Sequence, residues 1–223
     1  MKRRPLSFSA AVAAILAVGS AGASPIVMTF EGLHDLEPVL DHYAGGAGGM
    51  GSIGPDYGVY FSPNALAVRS IEAGGSGNFT NAPSGDTTLA YVDGDGVLMN
   101  VPGGFTGGFS LYYSAYEPGS VALYDGPDGT GTPLAWLDLP ANAHDGCDPV
   151  TNAFYCNYDP LGVAFEGTVF SVGLSGALNH IGFDSITLFS DFPDAVRIPL
   201  PGSVPLFGLG LLLLAAGAAR GRR

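Results

Sequence analysis

The chain has 223 residues, 35 of them glycine and 17 proline, with 47% hydrophobic residues and a formal net charge of −12. So much glycine and proline excludes a mainly helical protein, because both destabilise helix interiors. The acidic balance excludes nucleic acid and anionic lipid as partners, since like charges repel.

The first predicted element is an export signal. Lys2, Arg3 and Arg4 form a basic n-region, and Ala10 to Val18 is an apolar stretch too short to span a membrane. Ala21-Gly22-Ala23 is a small-residue site for signal peptidase, so residues 1–23 are the signal and the mature chain begins at Ser24. All 20 acidic residues lie between Glu31 and Asp194, against only Arg69 and Arg197 in the same exported stretch, a net charge of −18. Such a surface suits divalent cations or plain solubility outside the cell.

Residues 24–190 are enough for one domain with a sizeable core. No long stretch has the 3.6-residue helical period. Short β-branched and aromatic runs recur instead, bounded by Gly, Pro, Asp and Asn. They are Ile26–Phe30, Gly58–Phe61, Ala65–Ile71, Thr87–Val92, Val97–Val101, Gly108–Ala115, Ser120–Tyr124, Leu134–Leu139, Gly162–Phe165, Thr168–Leu174 and Ile181–Phe189. The pattern predicts an all-β fold, an antiparallel β-sandwich of jelly-roll type. Leu33, Leu36, Leu40 and Tyr43 hint at a turn or two of helix, interrupted by Pro38. Asp93-Gly94-Asp95-Gly96 and Asp125-Gly126-Pro127-Asp128-Gly129 read as hairpin turns, where glycine supplies positive φ. Neither has the spacing or closing Glu of an EF-hand.

Cys147 and Cys156 are nine positions apart in a predicted loop, Ala143 to Pro160. In an exported protein they are expected to form a disulfide. A metal site is the rival, supported only by His144.

After a linker over 191–198, the end of the chain has three parts. Ile198-Pro199-Leu200-Pro201-Gly202 is followed by an uncharged run from Val204 to Ala219, then by Arg220, Arg222 and Arg223. The run is about 24 Å long as a helix at 1.5 Å per residue, short against the ~30 Å core of a bilayer. The arginines read as a cytoplasmic stop. A plain tail anchor is one reading of this segment. The three-part order of residues 199–223 also resembles the PEP-CTERM bacterial sorting signals, in their Val-Pro-Leu-Pro-Ala variant. Ile198 and Gly202 depart from that pattern, and Leu200 stands where the parent motif has Glu. The resemblance implies export, transient retention by a C-terminal transmembrane helix, and cleavage near Pro199, Leu200 and Pro201 by an exosortase-type enzyme. Release or attachment at the cell surface or in extracellular polymer then follows.

Thr29-Phe30-Glu31-Gly32-Leu33, Gly77-Asn78-Phe79-Thr80-Asn81 and Ile181-Gly182-Phe183-Asp184-Ser185-Ile186-Thr187-Leu188 resemble exported sandwich proteins that carry this tail. More loosely, they resemble the terminal strands of jelly-roll carbohydrate-binding modules. In such a fold the first and last strands lie side by side, which brings Glu31 and Asp184 together. Two like charges in proximity need a proton, hydrogen bonds or a cation. Hard oxygen ligands favour Ca2+, and in the resembled modules such a site is structural. Two separately solvated carboxylates are the alternative.

Trp136 is the single tryptophan. Alternation in Leu134–Leu139 puts Leu134, Trp136 and Asp138 on one face and Ala135, Leu137 and Leu139 on the other. Exposed, Trp136 beside Asp138 could stack a sugar ring and hydrogen-bond its hydroxyls; buried in the second layer of a sandwich is the commoner fate of a tryptophan. His34, His42, His144 and His180 fall in no metal-ligand spacing, and no G-x-S-x-G or H-E-x-x-H occurs. A glycoside hydrolase needs two carboxylates, which twenty acids supply without deciding anything. The expectation is a non-enzymatic structural or adhesive component of extracellular polymer, with a carbohydrate-binding module as the alternative.

Overall fold

A computed structural model describes residues 23–147 and 153–193. The signal segment through Ala21, the sorting motif and the terminal arginines lie outside the described residues. Ten strands follow in chain order: β1 (Ile26–Met28), β2 (Glu37–Pro38), β3 (Tyr60–Phe61), β4 (Leu66–Arg69), β5 (Thr87–Ala90), β6 (Val97–Ala115), β7 (Gly119–Tyr124), β8 (Pro133–Leu139), β9 (Asp159–Ser175) and β10 (Ile181–Leu188). No described residue is helical, so the 33–43 segment is turns and bends around the two-residue strand β2.

All pairings between these strands are antiparallel. The order across the sheet is β2-β4-β5-β10-β6-β9-β7-β8, with β1 added on β10 and β3 on β6. Buried residues from both ends of this order meet in one core, Ala67, Leu89 and Phe183 with Val121, Leu123 and Leu137. The sheet therefore wraps into two layers, a β-sandwich.

Two pairs of predicted strands are single long strands. β6 runs for 19 residues and β9 for 17. They pair along their length, with register shifts between Asn100 and Phe105 and between Phe105 and Gly107. Gly104 and Gly107 take φ of +67° and +88° there, a conformation open to glycine, and the bulges bend the strand. Phe105 fills the space inside the bend, edge-on to Phe165 and Phe189.

The two predicted hairpins part company. The Asp125–Gly129 turn joins β7 to β8, which do pair. The Asp93–Gly96 turn does not close a hairpin, because β10 lies between β5 and β6 and pairs with both. The insertion of a strand from the far end of the chain is a non-local event that no local turn signal reports. The terminal strands are neighbours as expected, with Ile26 opposite Leu188 and Met28 opposite Ile186. Cys147 and Cys156 form the expected disulfide, with Cα atoms 5.6 Å apart.

Candidate functional site

The outer face of β7, β8 and β9 carries Trp136. In β7, Val121 and Leu123 are buried in the core, so Ser120, Ala122 and Tyr124 point the other way. Register carries this alternation across the sheet. Trp136 faces Ala122, which faces Gly173, which faces Leu98. On one side of that row stand Asp138, Ser120 and Ser175; on the other stand Tyr124, Ser171 and Asn100.

Trp136 is 55% exposed. It is on the surface rather than in the second layer of the sandwich, because among the described residues no further strand is layered over this face of β8. Its indole Nε1 donates to Asp138 Oδ1 at 3.2 Å, which limits the ring's freedom. Gly173, two strands from Trp136, leaves a shallow strip across the row, where a Cβ would stand 3.6 Å from Tyr124 and 3.9 Å from Leu98. The 125–132 turn closes the far end of this strip. Gly129 N donates to Ser171 Oγ at 3.0 Å, and Ser171 Oγ donates to Gly126 O at 2.6 Å. Asn100 and Asp128 exchange two hydrogen bonds of 2.8 Å. An exposed indole face with a carboxylate beside it can stack the apolar face of a pyranose and bond its hydroxyls. Sequence reasoning found Trp136 and Asp138 by strand alternation. It missed Tyr124, Asn100 and Gly173, whose adjacency depends on register between strands far apart in the chain.

Glu31 and Asp184 are brought to one place, bridged by the 84–87 turn. Asp184 is fully buried. Its Oδ1 accepts from Ser84 Oγ and Ser185 N, both at 2.6 Å, and its Oδ2 accepts from Ser84 N at 2.9 Å. Glu31 accepts from Thr87 N at 2.8 Å and from Thr87 Oγ1 at 3.3 Å. Burial pushes the Asp184 carboxyl up to about 6, against the pull of the Ser84 and Ser185 donors, and the Glu31 charge adds to the rise. Carboxylate and hydroxyl oxygens are the donors Ca2+ takes. Among the described residues no group of three or more His, Cys, Asp or Glu side chains converges on one point, so a cation here would rely on Ser84, Thr87, backbone and water to complete its shell.

Among the described residues the histidines form no metal-type cluster. His42 Nδ1 meets Ser52 O at 3.1 Å, and His180 Nδ1 pairs with Glu117 at 3.2 Å. His144 and His180 both pack edge-on against Tyr116.

No family model matches the chain, and no curated protein matches it. Among solved structures it is similar to a family 29 carbohydrate-binding module from Piromyces equi, at 9% identity and a TM-score of 0.39, over 74% of this chain and 91% of that one. It is also similar to CsCBM6-3 from Clostridium stercorarium, solved with cellobiose, at 12% identity and a TM-score of 0.35, over 58% and 84%. A third is a family 43 arabinoxylan arabinofuranohydrolase from Bacillus subtilis, at 16% identity and a TM-score of 0.36. The overlap spans 56% of this chain and 24% of that enzyme. With TM-scores this low, the overlaps carry no argument about what this chain binds.

Proposed function

We propose that this protein is an exported, non-enzymatic β-sandwich of jelly-roll type that binds extracellular polysaccharide through the Trp136 face. On this reading it is a structural or adhesive component of surface polymer, and carbohydrate binding is how it adheres. One observation carries the reading: Trp136 is exposed, and its ring is held by the Asp138 carboxylate beside it. The basic and apolar segments before Ser24 support export through signal peptidase. The order of Pro199–Pro201, apolar run and arginines supports processing by an exosortase-type enzyme after brief retention in the membrane. The Glu31 and Asp184 pair is proposed as a structural Ca2+ site in the same exported form.

A glycan array tests the binding. The wild type is expected to retain one or more uncharged glycans, and Trp136→Ala to lose them while its melting temperature stays close to wild type. Retention of the same glycans by the folded variant would refute the Trp136 assignment.

A further inference from the structure

A second concavity lies on a different part of the sandwich and shares no residue with the Trp136 face. It is a cleft of about 330 Å³. Its floor is the outer face of β4, β5 and β10, through Val68, Thr88, Ala90 and Gly182. Their neighbours Ala67, Leu89 and Phe183 point into the core. The Trp136 face also points away from that core, from strands at the other end of the sheet order. Packed layers are separated by about 10 Å, so the two surfaces lie on opposite sides of the domain.

The wall of the cleft is built, not incidental. Two segments distant in sequence are zipped together: Phe154 N and Tyr155 N donate to Asn78 O at 3.1 and 3.2 Å, and Thr80 N donates to Tyr155 O at 2.8 Å. The disulfide ties Cys156 to Cys147, and Asn81 Nδ2 donates to Cys156 O at 3.1 Å. Tyr155 Oη donates to Asn179 O at 2.9 Å and fixes the rim. The wall therefore presents Phe79, Phe154, Tyr155 and Tyr158 in set positions.

At the floor, Gly182 supplies room rather than bulk. A Cβ there would lie 3.6 Å from Thr88 Oγ1 and 3.7 Å from Tyr158 Oη. The Thr88 and Tyr158 hydroxyls thus meet over the Gly182 backbone, hydrogen-bonded to each other. Asn78, Asn179 and His180 add polar groups higher up. At the mouth, the wall residue Phe154 is 44% exposed and Tyr116, just outside the cleft, 41%, with ring centroids 5.1 Å apart. They extend the aromatic surface past the mouth.

Charge narrows the ligand. The exported stretch holds 20 acidic residues against two basic ones, yet among the described residues no Asp or Glu side chain lines the cleft. A cation would find no counter-charge inside it, and an anion would have to cross the field of the rest of the surface. Aromatic walls, convergent hydroxyl and amide groups and no charged partner at the base suit an uncharged, hydroxyl-rich ring with an apolar face.

We infer that this cleft is a second carbohydrate site, for a unit of an uncharged glycan, and that the domain joins two polysaccharide chains, one on each side. The bridging part rests on the Trp136 reading; the cleft assignment stands by itself. Joining chains gives a protein without catalytic machinery a mechanical role in a polymer matrix, because two sites on one rigid body raise the effective concentration of the second chain.

Calorimetric titration of the full exported domain tests this, with hexasaccharides of glucose, xylose and mannose as uncharged probes and hexagalacturonate as the charged control. The expected result is two binding events per chain for the best uncharged probe. Trp136→Ala keeps one, Gly182→Val keeps one, and the double variant keeps none. Valine at 182 begins from an ordinary van der Waals contact and places its methyls in the floor of the cleft. Should it not fold, Phe154→Ala removes an exposed part of the wall and is expected to weaken cleft binding about tenfold. A single event, lost in Trp136→Ala and unchanged in both cleft variants, overturns the second site and leaves the first. A single event lost in the cleft variants but retained in Trp136→Ala retires the Trp136 reading and bridging with it. Binding of hexagalacturonate that Gly182→Val abolishes overturns the uncharged assignment, and no binding to any of the uncharged probes overturns both sites.

Discussion

Replacing Asp184 with asparagine isolates the buried carboxyl that ties β10 to the 84–87 turn. Its folded value lies near 6 against an ordinary 3.8, with burial as the largest cause. A carboxyl raised in the folded state contributes stability that is fully present below pH 3.8 and is lost as pH rises through 6. At about 1.4 kcal/mol per pH unit, the loss between pH 4 and 7 is about 2 kcal/mol. The asparagine of Asp184→Asn cannot titrate. It keeps an acceptor for Ser84 Oγ and Ser185 N, but its amide group meets Ser84 N–H, costing about 1–3 kcal/mol at every pH. The variant should therefore be clearly weaker at pH 4 and near parity at pH 7. Urea unfolding in EDTA at pH 4, 5, 6 and 7 measures the gap. A gap that stays constant across that range refutes the reasoning. Calcium reverses the sign for the wild type, because a bound cation favours the ionised form. At a hundredfold excess over Kd it adds about 2.7 kcal/mol, or roughly 5–10 °C in melting temperature for a domain this size. Equal melting temperatures in calcium and EDTA at pH 7 would rule out a Glu31–Asp184 calcium site.

Glu37 behaves in the opposite sense. It is fully buried and accepts from His34 N at 2.7 Å, Met50 N at 2.9 Å, and Ser52 N and Oγ at 3.1 and 2.5 Å. Burial alone would raise its value, but the four donors outweigh it and hold the carboxyl at about 2 against an ordinary 4.5. Its contribution, about 3 kcal/mol, is present above pH 4.5 and lost as pH falls toward 2. Glu37→Gln should cost about 2–3 kcal/mol at pH 7 and flatten the acid limb of the stability curve; an unaltered limb, followed by circular dichroism, contradicts this. For processing, mass spectrometry of the protein from its native host should find Ser24 at the N-terminus and a C-terminus near Pro199–Pro201. A chain still ending at Arg223 would argue for a permanent anchor.

Much of the fold was legible because strands obey a two-residue period and are punctuated by Gly, Asp and Pro. That rule found nine of the ten strands in some form; β2 spans only Glu37–Pro38, too short for any period. It divided β6 and β9, because the glycines that bend a strand are the same residues that usually end one. The Asp93–Gly96 turn misleads for a related reason. A turn fixes how the chain reverses locally, whereas the strand that pairs with β5 on its side away from β4 is β10, which arrives some ninety residues later in the chain.

The sites divide along the same line. Strand parity placed Trp136 and Asp138 on one face, but exposure depended on whether another layer covered β8, and parity is silent on layers. Adjacency of the terminal strands brought Glu31 and Asp184 together; the Ser84 and Thr87 donors between them come from a turn with no pattern of its own. The cleft was not legible at all. Asn78 and Phe154 are 76 positions apart, and neither sits in a strand. What makes them one wall is a backbone pairing fixed by a disulfide, and what makes the wall a site is the space over Gly182 that the absence of a side chain leaves. A sequence records which side chains are present. A binding cleft depends as much on where one is missing, and at Gly182 a single β-branched residue is enough to separate the two.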